Sequence, residues 1–390
     1  MRTDAQASAY PDARGGRQLL RRLKAIGTRR RLPSLFWELG GFVSYDSRIS
    51  LSRAASRRPS VSLVNILDNL LWLAIVTAIS VAYCSFLLVL LLACKALWRP
   101  RHAPDPRLLL YLRAHSYRVA AAVMKYLEGE RFRRVPLLAP SLEIGIESGL
   151  VSALHFGERR FDIGVEYDTE FLPVIARQAT WRYKLAADAR RLPFKPGVFS
   201  TIVMVHVIDH IPEIDAVLGE VSRVLRNGGC AYVSGAGPRL PVAGPHLKLL
   251  HCLGLPGLAK RVGEWLMVRY HQYHYYTREQ WEALAHRHGL HLTSFEEFNR
   301  GLWADLWVLN HYWFGKKGGY FLFDLLRQSP VGCHIERLFE RMTATIAMSQ
   351  LAYEQRQTAE SGNDVFLVLQ KPELTRQIEP ILNVKAAANC

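Results

Sequence analysis

Hydrophobic positions in the second half of the chain follow two alternating patterns. Between residues 135 and 236, short apolar runs alternate with stretches whose apolar residues recur every three or four positions. A short apolar run bounded by turn residues is typical of a buried strand, and the 3/4 spacing is typical of an amphipathic helix. Strands that alternate with helices form a parallel sheet covered on both faces. The pattern therefore predicts an α/β fold.

Individual elements can be placed from the same pattern. A helix is expected over about 106–128, and another with apolar residues from Ile214 to Leu225 should end at a C-cap formed by residues 227–229, Asn-Gly-Gly. A further helix should begin near Thr277. The predicted strands are 142–146, 161–167, 183–188, 200–207, 230–235 and, closing the domain, 364–369.

A different hydrophobic segment lies near the N-terminus. Residues 70–94 comprise 25 residues without a charge. As a helix they would reach about 37 Å, enough to cross a hydrocarbon core of about 30 Å with some tilt. A buried core helix is the alternative, but core helices rarely stay apolar on every face for about seven turns. We therefore predict a transmembrane helix within residues 61–98.

Charge is concentrated beside this segment. The chain carries a net charge of +16, of which residues 1–60 contribute +9 and residues 95–134 contribute +7. Because Asp68 contributes −1, residues 135–390 carry only +1. Basic flanks of this kind can bind anionic lipid headgroups. A solvated, disordered tail is the alternative for residues 1–60. The nearly neutral C-terminal part disfavours nucleic acid as a partner.

The apolar segment divides the chain into regions. We expect a membrane location with a cytoplasmic catalytic domain, through either a single span or a hairpin over about 63–98. The six cysteines are scattered without a CxxC pair, which argues against a disulfide scaffold and a zinc site. The predicted regions are a basic segment 1–60, a membrane segment 61–98, a basic linker and helix 99–134, a domain 135–373 with insertions 236–275 and 301–363, and a tail 374–390.

Candidate binding residues follow the first two predicted strands. A glycine-containing turn, Gly145-Ile-Glu-Ser-Gly149, follows the first strand, and Glu166 ends the second. Parallel sheets bind ligands at the carboxyl ends of their strands. A carboxylate after a glycine-rich turn can accept hydrogen bonds from both hydroxyls of a ribose. An ordinary tight turn is the alternative for the two glycines.

Residues 186–235 carry four motifs in order. They read Asp-Ala-x-x-Leu-Pro-Phe from 188, Phe-Ser-Thr-Ile from 199, Asp-His-Ile from 209 and Arg-Val-Leu-Arg-Asn-Gly-Gly from 223. Their order and spacing resemble the class I S-adenosylmethionine-dependent methyltransferases, especially the small-molecule enzymes related to ubiquinone and menaquinone methyltransferases. The resemblance implies a Rossmann-like, seven-stranded sheet with helices on both faces, here preceded by a transmembrane helix. It also implies S-adenosylmethionine as the cofactor.

The resemblance further implies roles for individual residues. It places Glu143 at the acidic position of the first motif, the two glycines around the methionine part of the cofactor, Glu166 at the ribose and Asp188 at the adenine amine. A turn cap is the alternative for Asp188, and a structural role is the alternative for His210. The implied cofactor-binding residues are Glu143, Gly145, Gly149, Glu166, Asp188 and Ala189, and the candidate general bases are His206 and His210.

The chain departs from the family pattern at three positions. Glu147 replaces the central glycine of the turn, which would cost about 1 kcal/mol if the position needs a positive φ. Ser200 replaces an aspartate and Asp209 a glutamate. His271 and His274 form an i, i+3 pair without an evident third ligand, so no metal site is expected.

Two functions remain open at this point. The insertion 236–275 follows the fifth strand, and residues 301–325 are rich in aromatic side chains, which suggests an apolar acceptor or contact with a membrane. A helical lid is the alternative. The first function is a membrane-anchored methyltransferase acting on a small-molecule, lipid-linked or glycolipid acceptor. The second is a degenerate methyltransferase fold that serves as a non-catalytic membrane-associated binding or scaffolding module.

Overall fold

The computed structural model describes residues 104–115, 119–301, 304–305, 308, 332–356 and 361–373. The predicted membrane segment 61–98, the basic segment 1–60 and the tail 374–390 lie outside these residues. Among the helices that the structure describes, none combines the length and apolar character needed to cross a bilayer.

The domain is built on a seven-stranded mixed sheet in the order β3-β2-β1-β4-β5-β7-β6. The first five strands pair in parallel, whereas β7 runs antiparallel to both of its neighbours. This confirms the predicted seven-stranded, Rossmann-like sheet. The strands are β1 (Ser141–Ile144), β2 (Phe161–Glu166), β3 (Trp181–Ala186), β4 (Phe199–Val205), β5 (Leu225–Ala236), β6 (His291–Phe298) and β7 (Asp364–Gln370).

Helices precede, connect and follow the strands. Five of them belong to segments that the sequence left outside the core of the domain: two precede β1, two follow β5 in the predicted insertion 236–275, and one 25-residue helix precedes β7. The helices in the described part of the chain are α1 (Pro106–Ala114), α2 (Val119–Arg133), α3 (Leu150–Phe156), α4 (Leu172–Ile175), α5 (Ile214–Val224), α6 (Pro245–Cys252), α7 (Pro256–Arg269), α8 (Arg278–Arg287) and α9 (Gly332–Arg356).

Alternation along the strands supplies both faces of the core. On β4, Ile202 and Met204 join one buried cluster, whereas Val203 joins another. Successive side chains of a strand point to opposite faces, so these clusters lie on the two sides of the sheet. The apolar stripe of α5, which includes Val217 and Val221, is completely buried in the first cluster. Both faces are therefore covered, as the apolar runs predicted.

The predicted C-cap of α5 is wrong. The helix ends at Val224, and residues 225–229 already belong to β5. Leu225 is completely buried and pairs with Phe199 of β4, so its tertiary contact draws the chain into extended backbone before the glycines. Gly228 has a φ of 75°, and its amide donates to the Lys371 carbonyl beside β7.

The N-terminal helices pack into the domain. Leu108 and Tyr111 of α1, Ala122 of α2 and Ala347 of α9 share one buried cluster. The packed unit therefore includes α1 and α2, which lie in the segment that the sequence assigned to a linker and helix before the domain. The cluster also brings α2 against α3 and so to the carboxyl edge of the sheet.

Candidate cofactor and active site

The turn after β1, the glycine loop (residues 145–149), has left-handed backbone at three positions. The φ angles are 75° at Gly145, 40° at Glu147 and 74° at Gly149. A Cβ on Gly145 would lie 2.3 Å from Val207 Cγ2, so only glycine fits there. Glu147 does carry a side chain at positive φ, which costs on the order of 1 kcal/mol. The predicted conflict at the central glycine position is present.

Glu166 is held at the end of β2 by backbone amides. Its Oε2 accepts a hydrogen bond from the Glu147 amide at 2.6 Å, and its Oε1 accepts one from the Asp168 amide at 3.0 Å. Burial raises the pKa of this carboxyl, while the amide hydrogen bonds lower it. Each carboxylate oxygen has a second lone pair. The group is therefore fixed beside the glycine loop and can still accept hydrogen bonds from two hydroxyls.

The Glu147 side chain is accessible to solvent, although protein atoms surround it on most sides. Burial and the neighbouring Glu166 raise the pKa of its carboxyl, while Lys125, His210 and His206 lower it. Charged residues of α2, β2 and the turn after β4 thus all influence the pKa of a carboxyl in the glycine loop.

Glu143 lies beneath the loop instead of lining the cleft. Its Oε1 accepts from Ser152 Oγ at 2.7 Å, and its Oε2 accepts from Trp181 Nε1 at 2.6 Å. Burial raises the pKa of this carboxyl to about 7. The sequence placed Glu143 among the cofactor-binding residues. The structure gives it a supporting contact, because both oxygens already bind side chains of α3 and β3.

Asp188 lies after β3, as expected, but its carboxylate forms an ion pair with a neighbouring cation. Arg190 Nη2 donates to Asp188 Oδ2 at 2.7 Å, and the Arg190 amide donates to Oδ1 at 2.9 Å. Arg190 also donates to Glu213 at 3.0 Å. The arginine hydrogen bonds lower the pKa of Asp188. Ala189 is buried in the core, which leaves only its backbone for ligand contacts. Sequence reasoning missed Arg190, although it lies only two residues from the aspartate.

His206 ends β4 among three carboxylates. Its Nε2 lies 3.2 Å from Glu128 Oε1 and 3.6 Å from Asp364 Oδ1, and its Nδ1 lies 3.5 Å from Asp209 Oδ2. Burial and Lys125 lower the pKa of His206, but Glu128 and Asp209 outweigh them and raise it. A protonated imidazole cannot accept a proton. This environment suits a buried cation better than the general base proposed from the sequence.

His210 contacts the segment after α7 through both ring nitrogens. Its Nδ1 lies 3.0 Å from the His271 carbonyl, so Nδ1 carries the hydrogen of this bond. Its Nε2 lies 3.5 Å from Gln272 Nε2 and 3.9 Å from Asp209 Oδ2. The second histidine of the i, i+3 pair, His274, is buried and binds the Ile211 carbonyl at 2.8 Å.

A buried network that the sequence did not predict supports this edge of the sheet. Glu128 of α2 accepts from Lys125 Nζ at 2.8 Å and from Ser234 Oγ at 2.6 Å, and it lies 2.8 Å from His155 Nε2. Burial opposes its charge, yet the cations hold the pKa of Glu128 well below its usual value. Throughout the described ranges, no group of three or more His, Cys, Asp or Glu residues is arranged to hold a metal ion.

The residues at this edge fit S-adenosylmethionine. The glycine loop turns at the carboxyl end of β1, and Glu166 offers acceptors for paired hydroxyls. Glu147 and Glu166 place negative charge where a ligand with a net positive charge would lie. Asp188 lies two residues after the end of β3, and Arg190 occupies part of its hydrogen-bonding capacity.

Comparison with known proteins identifies the domain. Residues 142–233, about a quarter of the chain, match the methyltransferase domain family. This part of the chain is the core of an S-adenosylmethionine-dependent methyltransferase domain, and S-adenosylmethionine is its cofactor. The match begins in β1 and ends in β5, so it includes the glycine loop, Glu166 and Asp188. No curated protein matches the chain.

Two solved structures illustrate the similarity. One is a SAM-dependent methyltransferase of Thermotoga maritima, described as a possible histamine N-methyltransferase, which is 14% identical with a TM-score of 0.40. The alignment covers 68% of this chain and 99% of that one. The other is phosphoethanolamine N-methyltransferase 2 of Haemonchus contortus in complex with phosphomonomethylethanolamine and S-adenosylhomocysteine. It is 17% identical with a TM-score of 0.37, covering 67% of this chain and 59% of that one.

Proposed function

We propose that this protein is a membrane-anchored methyltransferase that acts on a small-molecule acceptor dissolved in or linked to lipid, such as a glycolipid. The observation that carries the catalytic part is the carboxylate of Glu166, held beside the glycine loop by two backbone amides. The anchoring part rests on residues 70–94 and their basic flanks. Basic residues on both sides of a long apolar segment favour its retention beside anionic lipids.

Different residues of the site would hold different parts of the cofactor. Glu166 would hold the ribose hydroxyls of S-adenosylmethionine, Asp188 the adenine amine, and the glycine loop the methionine part. When bound, this cofactor supplies a methyl group on a positively charged sulfur that is already an activated leaving group. The protein then mainly has to align the acceptor and exclude water.

An acceptor hydroxyl or phenol also needs a base. His210 suits this role better than His206, because its side chain is partly exposed whereas His206 is enclosed by three carboxylates. His206 would instead compensate the charge of Glu128 and Asp209 behind the cleft. For an amine or thiolate acceptor, no base would be required in the transfer step itself.

The second candidate function is a non-catalytic binding or scaffolding module. Two observations favour it: the ion pair of Asp188 with Arg190, and the side chain of Glu147 at the central glycine position. Both would weaken cofactor binding without unfolding the sheet.

Cofactor binding separates the two functions. S-adenosylmethionine is titrated calorimetrically into the full chain in detergent, beside Asp188→Asn, Arg190→Gln and the surface control Glu282→Gln. For an enzyme we expect micromolar binding that Asp188→Asn weakens by about 10- to 100-fold, the worth of one charged hydrogen bond. Arg190→Gln should leave the affinity unchanged or raise it. A folded chain that binds only after Glu147→Gly would support the scaffolding module.

The anchoring proposal has its own test. Membranes containing the full chain are washed at alkaline pH and in high salt, which release peripheral proteins. A chain anchored through residues 70–94 should stay in the membrane pellet. Its release into the supernatant would contradict the anchor and leave the catalytic proposal intact.

A further inference from the structure

Helices α6 and α7 form a hairpin (residues 245–269) whose outer surface is apolar and exposed. Every residue of the hairpin tip (residues 251–258, His-Cys-Leu-Gly-Leu-Pro-Gly-Leu) is exposed. Leu253 in the tip is 63% exposed, and Leu249 one turn earlier is 59% exposed. A Cβ added to Gly254 or Gly257 would meet no atom within 4 Å, so the surroundings of the tip are open.

The apolar surface continues along α7. Leu258, Trp265 and Val268 follow one another at spacings of seven and three residues, which places them on one side of the helix. Trp265 is 51% exposed and Val268 is 68% exposed. Soluble proteins rarely leave large apolar side chains exposed in a continuous patch without a binding role.

The opposite side of the hairpin is firmly seated. A Cβ on Gly263 would lie 1.9 Å from the Pro241 carbonyl oxygen, so the helix approaches the preceding turn as closely as glycine allows. Leu247 and Leu266 are completely or almost completely buried. Asp305 is buried and pairs with Lys248 and Arg239. The exposed apolar side chains are therefore presented by a rigid support.

The hairpin carries more cations than anions. It contains Lys248, Lys260, Arg261 and Arg269 but one acidic residue, Glu264, which lies 3.9 Å from Lys260. Lys248 pairs with Asp305 on the seated side, so the exposed Lys260, Arg261 and Arg269 form the basic rim. The Arg269 guanidinium lies 5.4 Å from the centre of the Trp265 ring. Apolar residues with tryptophan at the boundary and a basic rim are the features with which a helix lies in a membrane interface. The rim also disfavours a second copy, because a twofold contact would bring identical positive surfaces together.

The hairpin joins the chain at the candidate active site. It follows β5, whose end at Ala236 lies at the same edge of the parallel strands as the glycine loop. Just after the hairpin, the His271 carbonyl contacts His210, and the Tyr273 amide donates to the Asp209 carbonyl at 2.8 Å. A bilayer bound to the hairpin would thus lie close to the groups proposed to receive the acceptor.

We propose that the hairpin is a second membrane contact, independent of residues 70–94, which inserts its apolar tip into a bilayer that carries anionic headgroups. Together with the proposed function, on which this part rests, it would admit the acceptor to the cleft directly from the lipid phase. The hairpin contact itself requires neither cofactor binding nor turnover.

The test measures the depth of the hairpin in lipid. The full chain, with its other cysteines replaced, carries an environment-sensitive fluorophore on Cys252, on Leu253→Cys or, as a matched control, on Glu282→Cys of α8. It is reconstituted into phosphatidylcholine vesicles with and without phosphatidylserine, and some lipids carry a nitroxide on the acyl chain. The label on Cys252 needs no substitution within the hairpin, so a misfolded variant cannot decide the result.

We expect labels at 252 and 253 to shift their emission to the blue and to lose intensity to the nitroxide, most strongly with phosphatidylserine. The label at 282 should do neither. Replacing both Lys260 and Arg261 with glutamate should reduce the shift.

A chain that floats with the vesicles while the tip labels stay in water would overturn the inference and leave the anchor standing. A blue shift without quenching would mean that protein covers the tip, and it would overturn the inference as well. Calorimetric binding of S-adenosylmethionine to the same samples reports separately on the proposed function.

Discussion

The Glu147 amide donates a 2.6 Å hydrogen bond to Glu166 Oε2, and this contact joins the glycine loop to the end of β2. Glu147 itself has left-handed backbone, with a φ of 40°. Burial and the charge of Glu166 raise the pKa of the Glu147 carboxyl. The loop thus combines a binding geometry with local strain and like-charge repulsion.

Glu166→Gln should weaken the binding of S-adenosylmethionine. An amide offers one acceptor oxygen instead of two, and it loses the charge that strengthens hydrogen bonds to hydroxyls. We expect a 10- to 100-fold higher dissociation constant, of the order of one charged hydrogen bond. Calorimetry measures the effect, and the exposed Glu282→Gln is the control. Unchanged affinity, with the fold intact, would move the ribose site away from β2.

Glu147→Gly should stabilise the folded chain by about 1 kcal/mol, because glycine adopts a positive φ without strain and the repulsion with Glu166 disappears. Ser148→Gly is the matched control. Ser148 is not among the residues with positive φ, so glycine there only adds freedom to the unfolded chain and should destabilise. Urea denaturation of the full chain in mild detergent checks both. If both substitutions lowered the free energy of unfolding equally, Glu147 would not be strained.

Glu143→Gln should change how stability depends on pH. Burial raises the pKa of Glu143 to about 7 in the folded chain, above its ordinary value near 4.5. The folded state therefore holds a proton that the unfolded state releases. The resulting stabilisation is complete below pH 4.5 and is lost as pH rises to about 7.

The test compares the free energies of unfolding of the natural chain and Glu143→Gln at several pH values between 4.5 and 8. Between these limits the natural chain should lose about 3 kcal/mol relative to the variant, since each pKa unit is worth about 1.4 kcal/mol. Burial also raises the pKa of Asp364, to about 6. Because Asp364 is present in both proteins, its contribution cancels when their free energies of unfolding are subtracted. A difference that does not vary with pH would contradict the assignment.

Gly263→Ala should loosen the hairpin from the domain. The new methyl group would overlap the Pro241 carbonyl oxygen, and overpacking of this kind costs about 1–3 kcal/mol. Gly257→Ala is the control on the same helix. No atom lies within 4 Å of its Cβ, so it should be neutral or stabilise by up to about 1 kcal/mol. Thermal unfolding and limited proteolysis between residues 245 and 269 distinguish the two. If both variants resist protease equally, the hairpin is not seated on Pro241.

The sheet was readable from the sequence because its signals are local. Apolar runs and turn residues within a few positions predicted β1, β2, β4 and the position of the glycine loop, and the motif identified Glu147 as a side chain at a glycine position. Predictions failed where the local structure depends on contacts with distant residues. The C-cap of α5 is wrong because Leu225 pairs with Phe199. The edge strand β6 was not located, since all but one of its side chains are exposed or only partly buried and its pattern is weak.

By itself, the sequence determined the class of the domain and the order of most of its strands along the chain, because spacing and residue type are local properties. It also singled out the carboxylates Glu166 and Asp188 as candidates. Only the tertiary structure decided which of the candidate residues share a site. Glu128 and Ser234 are separated by 106 positions yet bind each other, and together with Asp209 they surround His206. The tertiary structure likewise exposed the apolar face of the hairpin, because burial depends on what packs against a helix and not on its own periodicity.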